Sequence, residues 1–108
     1  MKKLKYKFFL LMLPVFILLS CTTDIQKIND NIAEYTNKKV TIKGQVVSTT
    51  NALFFKYYKV RDSSGEIFVT TENKLPEENQ KIKVTGTVRQ FIKIGDIQVS
   101  AIEEDEQK

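Results

Sequence analysis

The stretch Lys81-Ile82-Lys83-Val84-Thr85-Gly86-Thr87-Val88 decides the fold class, because its apolar and polar residues alternate one by one. Alternation with a period of two is typical of a β-strand that buries one face. Gly86 stands at an apolar, inward position of this pattern, and Gly44 does the same in the similar stretch 40–47. A glycine inside a strand favours a bend or the close approach of another strand. These stretches therefore predict two strands of a small, strongly coiled sheet.

Three further stretches predict a hairpin and a last strand. Residues 57–61 and 66–71 are rich in aromatic and β-branched residues, and they flank Asp62-Ser63-Ser64-Gly65. This tetrapeptide predicts a turn, because aspartate favours the first position of a turn and glycine the last. Residues 97–101 alternate again, whereas Pro76 excludes a ladder hydrogen bond in the polar stretch around it. The chain is therefore expected to form five short strands.

A helix is predicted before the strands. Ile25, Ile28 and Ile32 recur at the spacing of one helical face, with polar residues between them. Asp24 or Thr23 is placed to cap the N-terminus of this helix. Five short antiparallel strands leave open edges unless the sheet curls. We therefore predict an all-β domain with one N-terminal helix, a five-stranded antiparallel barrel that the isoleucine face closes at one end.

The N-terminal region has the pattern of a cleaved secretory signal. Residues 1–7 carry four lysines, and residues 8–19 are apolar apart from Pro14. This apolar run is shorter than the roughly 20 residues that span a bilayer, and a charged start followed by such a run is typical of a signal peptide. Leu18-Leu19-Ser20-Cys21 resembles a bacterial lipobox, whose cysteine is lipidated, and implies a membrane contact through Cys21. The alternative is an ordinary signal followed by an unpaired thiol, which an oxidising compartment disfavours.

The charge distribution argues against a strongly basic mature protein. The whole chain has a net charge of +4, but four of its 17 basic residues and none of its 13 acidic residues precede Cys21. Residues 21–108 are therefore formally neutral, and electrostatic attraction of the whole domain to phosphate is not expected. An anion-binding surface would have to be a local patch. Acidic residues gather in residues 103–108, which we expect to form a disordered tail.

Residue types that carry catalysis are scarce. The chain has no histidine and a single cysteine, Cys21, so the usual general bases, nucleophiles and soft metal ligands are missing. No glycine-rich phosphate loop is present, and the adjacent carboxylates Glu77 and Glu78 lie in a polar stretch. The sequence therefore predicts a protein that is not an enzyme and that holds no cofactor and no metal.

The pattern of strands and turns resembles that of OB-fold domains, which are five-stranded, partly open barrels. The residues that carry the resemblance are 39–46, 58–69 and 75–88, with a glycine in the first and third stretches and an Asp-x-x-Gly turn in the second. The chain is similar to the tRNA-anticodon-domain-like group and to small secreted OB-fold proteins of the bacterial envelope. It departs from many OB-folds because residues 71–80 are too short for a helix between the third and fourth strands.

The resemblance also implies where a ligand would bind, since OB-folds use the face of strands two and three and the loops beside it. Aromatic rings that stack on bases, interleaved with cations that follow phosphates, are what single-stranded nucleic acid requires. An alternative is that some of the phenylalanines close the barrel mouth. The candidate ligand-binding residues are Phe54, Phe55, Lys56, Tyr57, Lys59, Arg61 and Phe68, with Phe91 and Lys93 near the loop between the last two strands.

Two functions fit these patterns. The first is a membrane-anchored lipoprotein with a non-enzymatic OB-fold module that binds a protein, peptide or glycan in the bacterial envelope. The alternative is a lipoprotein whose OB-fold binds single-stranded or tRNA-like nucleic acid, as fold analogy implies; a structural envelope lipoprotein with no single ligand is a third possibility. Thr22 after the lipidated cysteine favours the outer membrane in a Gram-negative cell. The expected organisation is a signal peptide at 1–20, a tether and helix at 21–37, the barrel at 38–102 and the tail at 103–108.

Overall fold

The computed structural model of the chain describes residues 21–53, 55–94 and 96–106, so the predicted signal peptide lies outside the described residues. Within the described residues, two short helices precede five strands, and the five predicted strands are confirmed. The elements are α1 (Ile25–Asp30), α2 (Ile32–Tyr35), β1 (Lys39–Asn51), β2 (Lys56–Arg61), β3 (Glu66–Thr71), β4 (Lys81–Ile94) and β5 (Ile97–Glu104).

The five strands close into a ring in the order β1-β2-β3-β5-β4, with β4 paired again to β1. Neighbouring strands are antiparallel except β3 and β5, which run parallel through pairs such as Val69 with Ile102. The prediction of a purely antiparallel sheet is therefore wrong. The parallel contact arises because the chain passes from β3 to β4, which pairs with β1, and then returns in β5 alongside β3 in the same direction.

The two long strands each pair with two neighbours in succession, and this closes the ring. Strand β1 pairs with β4 along residues 39–45 and with β2 along residues 45–51. Strand β4 pairs with β1 along residues 81–87 and with β5 along residues 86–94. Each strand must therefore coil strongly at the point where it changes partner.

Gly44 and Gly86 stand at these two changes of partner. At Gly44, a Cβ atom would overlap the backbone of Arg61 in β2, and at Gly86 it would overlap the backbone of Glu103 in β5. Any side chain would hold the neighbouring strand away, so both positions require glycine because another backbone passes close to them. The sequence-based interpretation of these glycines as marks of a strongly coiled sheet is confirmed.

The core lies inside the ring and is completed by α1. Ile25 and Ile28 are fully buried, and Ile32 from α2 packs against the same cluster. The predicted role of this isoleucine face in the core is confirmed. Each fully buried isoleucine or valine contributes about 1.5–3 kcal/mol relative to an exposed one. The strands supply Val40, Ile42, Val46, Tyr58, Val60, Ile67, Val69, Val84, Val88, Ala101 and Ile102 to the buried set.

The single predicted helix is two short helices, because Asn31 interrupts it. Asn31 has φ −133° and ψ 42°, which is outside the helical region. Its side-chain amide donates a hydrogen bond to the carbonyl oxygen of Lys27 at 2.9 Å. Asparagine side chains compete in this way with helical hydrogen bonding. Neither described helix has the length and apolar character needed to cross a bilayer.

The end of β5 is tied to the rest of the sheet. The hydroxyl of Tyr58, which is 2% exposed, donates a hydrogen bond to the carboxylate of Glu104 at 2.9 Å. Burial, and then the charge and hydrogen bond of Glu104, raise the pKa of Tyr58 well above its usual range, so the hydroxyl stays a donor. Asp105 donates its backbone N–H to Thr85 and forms an ion pair with Lys39 at 3.0 Å. The first residues of the expected acidic tail therefore belong to the folded domain.

Candidate ligand-binding face

Three aromatic rings lie together on the outer surface of β2 and β3. Phe55 stacks on Tyr57 with 5.5 Å between the ring centroids, and Tyr57 meets Phe68 edge to face at 5.9 Å. They face outward because the alternating residues of both strands, such as Val60 and Val69, are buried in the core. We call Phe55, Tyr57 and Phe68 the aromatic face. All three are partly exposed, so ring surface is available to a ligand.

The two lysines predicted for this site lie in different surroundings. Lys59 lies beside the aromatic face, with its ammonium nitrogen 4.9 Å from the centroid of the Phe68 ring, which is within the range of a cation–π contact. Lys56 instead turns to the loop after β3 and donates hydrogen bonds to the carbonyl oxygens of Asn73 at 2.6 Å and Glu72 at 3.4 Å. Lys56 is therefore bound to the protein itself, whereas Lys59 is part of the face.

Glu66 is shared by the two remaining cations, Lys59 and Arg61. It lies directly opposite Arg61 across the hairpin, receives a hydrogen bond from the Nε of Arg61 at 2.6 Å, and has an oxygen 3.7 Å from the ammonium of Lys59. The hydrogen bond and charge of Arg61, and then the charge of Lys59, hold the pKa of Glu66 below its usual range despite some opposing desolvation. Two positive charges and one negative charge therefore share this part of the surface.

Sequence reasoning missed Glu66 as a member of the site. The signal that could have found it is the Asp62-Ser63-Ser64-Gly65 turn, because a turn of that length pairs the residue before it with the residue after it. Arg61 and Glu66 are these two residues, and they are paired in the structure. Opposite charges at such a cross-strand pair attract each other.

Two apolar side chains of the described residues are strongly exposed. Leu53, in the loop between β1 and β2, is 89% exposed, and Ile97, at the start of β5, is 66% exposed. Among the predicted residues of these regions, Phe54 lies outside the described residues, as do the side chains of Phe91 and Lys93. The structure therefore brings together Phe55, Tyr57, Lys59, Arg61 and Phe68.

The turn between β2 and β3 is fastened to α1. The carboxylate of Asp62 accepts hydrogen bonds from the backbone N–H of Ile25 at 3.0 Å, from the Ser64 N–H at 2.7 Å and from the Gly65 N–H at 3.0 Å. Asp24, the cap predicted from the sequence, makes no side-chain hydrogen bond to the helix. A residue that is 37 positions away in the sequence therefore caps α1, and it fixes the end of the hairpin that carries the aromatic face.

The comparisons with known proteins concern the fold. No protein-family model matches the chain, and no curated protein matches it. The structure is similar to that of an asparaginyl-tRNA synthetase from Pyrococcus horikoshii, solved with asparaginyl-adenylate, with a TM-score of 0.63 and 16% sequence identity. The match covers 81% of this chain and 21% of the synthetase, so the chain spans about a fifth of that protein's length. This likeness supports the predicted OB-fold.

Within residues 21–53, 55–94 and 96–106, no group of three or more histidine, cysteine, aspartate or glutamate side chains is arranged to hold a metal ion. The candidate face that the described residues offer consists of rings and charges. Such a surface can bind flat or anionic groups by stacking and ion pairing.

Proposed function

We propose that this chain is a non-enzymatic OB-fold protein, held at a membrane through a lipidated Cys21, whose aromatic face binds single-stranded nucleic acid. The observation that carries the proposal is the aromatic face itself, with three rings in contact and the ammonium of Lys59 above one of them. OB-folds use this surface for oligonucleotides. The similar synthetase is named for a reaction on tRNA, which agrees with this ligand class.

The geometry suits a ligand with unstacked bases. Tyr57 lies between the other two rings, so a base that stacks on it would also contact Phe55 or Phe68. Each stacked base contributes about 1–3 kcal/mol, whatever its identity. Lys59 and Arg61 line one side of the rings and would contact the phosphates. Both are paired with Glu66, so a phosphate has to compete with this carboxylate for them. We therefore expect modest affinity and little sequence preference.

The test is a titration of residues 22–108, which contain the whole described core, into labelled single-stranded DNA and RNA at two salt concentrations. Tyr57→Ala is expected to lower the affinity about tenfold, because a stacking surface is lost. Tyr57→Phe is the matched control and should bind like the parent, since it keeps the ring. Absence of binding at low salt, or equal affinity of the two variants, would contradict the proposal.

A second candidate ligand is an uncharged glycan or a peptide, and Glu66 is the observation that favours it. OB-folds also bind oligosaccharides with this surface, and a face whose cations are already paired attracts phosphate weakly. Glu66→Gln distinguishes the two classes of ligand. It removes the negative charge that pairs with Arg61 and Lys59, and it keeps the size and shape of the side chain. For nucleic acid we expect affinity to rise about threefold with a steeper salt dependence. A glycan or peptide ligand predicts no gain, and an unchanged salt slope would favour it.

The anchoring at Cys21 is tested separately. Cys21 is exposed, and two residues later Thr23 donates its N–H to the carbonyl of Thr41 at 2.8 Å, so the anchor leaves the domain beside β1. In bacterial cells, labelled palmitate should be incorporated into the full chain and not into Cys21→Ser, and the parent should sediment with membranes. Equal labelling of parent and variant would show that lipid is not attached here. Stable anchoring needs more than one acyl chain or a second attraction to the bilayer.

A further inference from the structure

Three lysines form a positive cluster on the outer surface of β1 and β4, whereas the three rings of the aromatic face belong to β2, β3 and the residue just before β2. Lys43 in β1 lies directly opposite Lys83 in β4, and Lys81 lies opposite Gln45 in the same pair of strands. All three lysines are exposed. In the part of the chain that the structure describes, none of them forms an ion pair with a carboxylate. We call Lys43, Lys81 and Lys83 the lysine patch.

The patch surrounds an open depression of about 620 Å³. Arg61 adds a fourth cation to its lining, and Gly44 and Ile82 lie between the charged residues. Asp62 is the one carboxylate among the lining residues, and its oxygens already accept hydrogen bonds from the α1 N-terminus and the turn. Arg61 is paired with Glu66, so the charge without a carboxylate partner among the described residues is that of the three lysines, whose apolar stems also line the depression.

In the absence of a ligand, this arrangement of lysines lowers the stability of the folded domain. Like charges directly opposite each other on neighbouring strands destabilise a sheet, and Lys43 and Lys83 are such a pair. An anion bound between them would remove this repulsion. The patch therefore has the electrostatics of a binding surface for negative charge, although the domain as a whole is neutral.

We propose that the lysine patch lies on anionic phospholipid headgroups of the membrane in which the chain is anchored. Thr23 is hydrogen-bonded to Thr41, which is two positions from Lys43 on the same outward face of β1. Cys21 precedes Thr23 by two residues, a span of at most about 7 Å. A lipid attached to Cys21 therefore brings the patch to the bilayer surface. The inference rests on the proposed anchoring for this orientation.

The lysine patch and the aromatic rings are separate parts of the surface. The patch lies on β1 and β4, and none of the three rings lines the depression, although Arg61 lies between the rings and the patch. A polybasic surface also supplies the second attraction that makes lipid anchoring stable. Each lysine close to an anionic surface contributes a several-fold increase in binding.

The test uses residues 22–108 without lipid, so that it does not depend on modification of Cys21. Co-sedimentation with vesicles of phosphatidylglycerol and phosphatidylcholine is compared with co-sedimentation with phosphatidylcholine alone. We expect salt-sensitive binding to the anionic vesicles only, and at least a tenfold loss in Lys43→Gln/Lys83→Gln. The matched control Lys38→Gln/Lys74→Gln removes the same charge from two other exposed positions and should bind nearly like the parent. Thermal unfolding without vesicles checks folding, and the Lys43/Lys83 variant should melt at the same or a higher temperature.

Several results would overturn the inference. These are equal binding to both kinds of vesicle, no binding to either, or equal losses in the two double variants. An oligonucleotide whose binding is lost in Lys43→Gln/Lys83→Gln, while vesicle binding is unchanged, would assign the patch to nucleic acid instead. Because the nucleic-acid titration depends on Tyr57 and the labelling experiment on Cys21, failure of the proposed function and failure of this inference are distinguishable.

Discussion

Gly86→Ala is expected to lower the free energy of unfolding by about 3 kcal/mol, which is a large part of the stability of a small domain. The added methyl group would overlap the backbone carbonyl of Glu103 and lie 2.8 Å from the Cγ2 of Ile102. Both atoms belong to β5 where it pairs with β4, so the strand has no room to move without breaking the ring. Denaturant unfolding followed by circular dichroism measures the effect, and loss of a cooperative transition is the extreme form of the same result.

Gly65→Ala is the matched control for this experiment. Its Cβ would approach the side-chain oxygen of Gln26 at 2.6 Å, which is the far end of a flexible, exposed side chain. That side chain can turn away, so the change in unfolding free energy should stay within about 1 kcal/mol. If Gly86→Ala were as stable as Gly65→Ala, β4 and β5 would not approach each other as closely as described.

Asp62→Ala is expected to cost about 3 kcal/mol of stability. The substitution removes the oxygens that cap α1 through Ile25 and close the turn through Ser64 and Gly65, and hydrogen bonds to an ionised group are individually strong. Asp24→Ala is the control, since Asp24 precedes the same helix without a side-chain cap. The control should change the unfolding free energy by less than about 0.5 kcal/mol. Similar losses in the two variants would contradict the assignment of the cap to Asp62.

The contribution of Asp62 should also depend on pH. Burial opposes its ionisation, but hydrogen bonds from the Ser64 hydroxyl and from the backbone N–H groups of Ile25, Ser64 and Gly65 outweigh burial and hold the pKa of Asp62 below its usual range. The unfolded chain binds this proton more readily, so the stabilisation is present above about pH 4 and is lost as the pH falls through the lower folded-state pKa. The stability difference between the parent and Asp62→Asn should therefore shrink on acidification. A constant difference between pH 6 and pH 2.5 would show that folding does not lower the pKa of Asp62.

In the candidate site, the sequence predicts which side chains share a face of a strand, but not which residues pair across strands. Alternation placed Tyr57, Lys59 and Arg61 on one side of a strand and Tyr58 on the other, and the structure confirms that division because the side-chain period of a strand is a local property. The pairing of Lys59 and Arg61 with Glu66 was not recognised, since it depends on the register of two strands. The same register determines how much positive charge the face can offer to a phosphate.

The sequence by itself determined the strands, the turn at residues 62–65 and the buried helical face, and its glycines at positions 44 and 86 indicated sharply bent strands. Each of these follows from local steric rules or from the spacing of apolar residues. Only the tertiary structure decided the parallel contact of β3 with β5, the capping of α1 by Asp62 and the meeting of Lys43 with Lys83. These contacts join residues that are more than 30 positions apart, and no local preference specifies them. Closure of the ring specifies them, because it gives every strand a hydrogen-bonded neighbour on both sides and buries the inward residues of all five strands together.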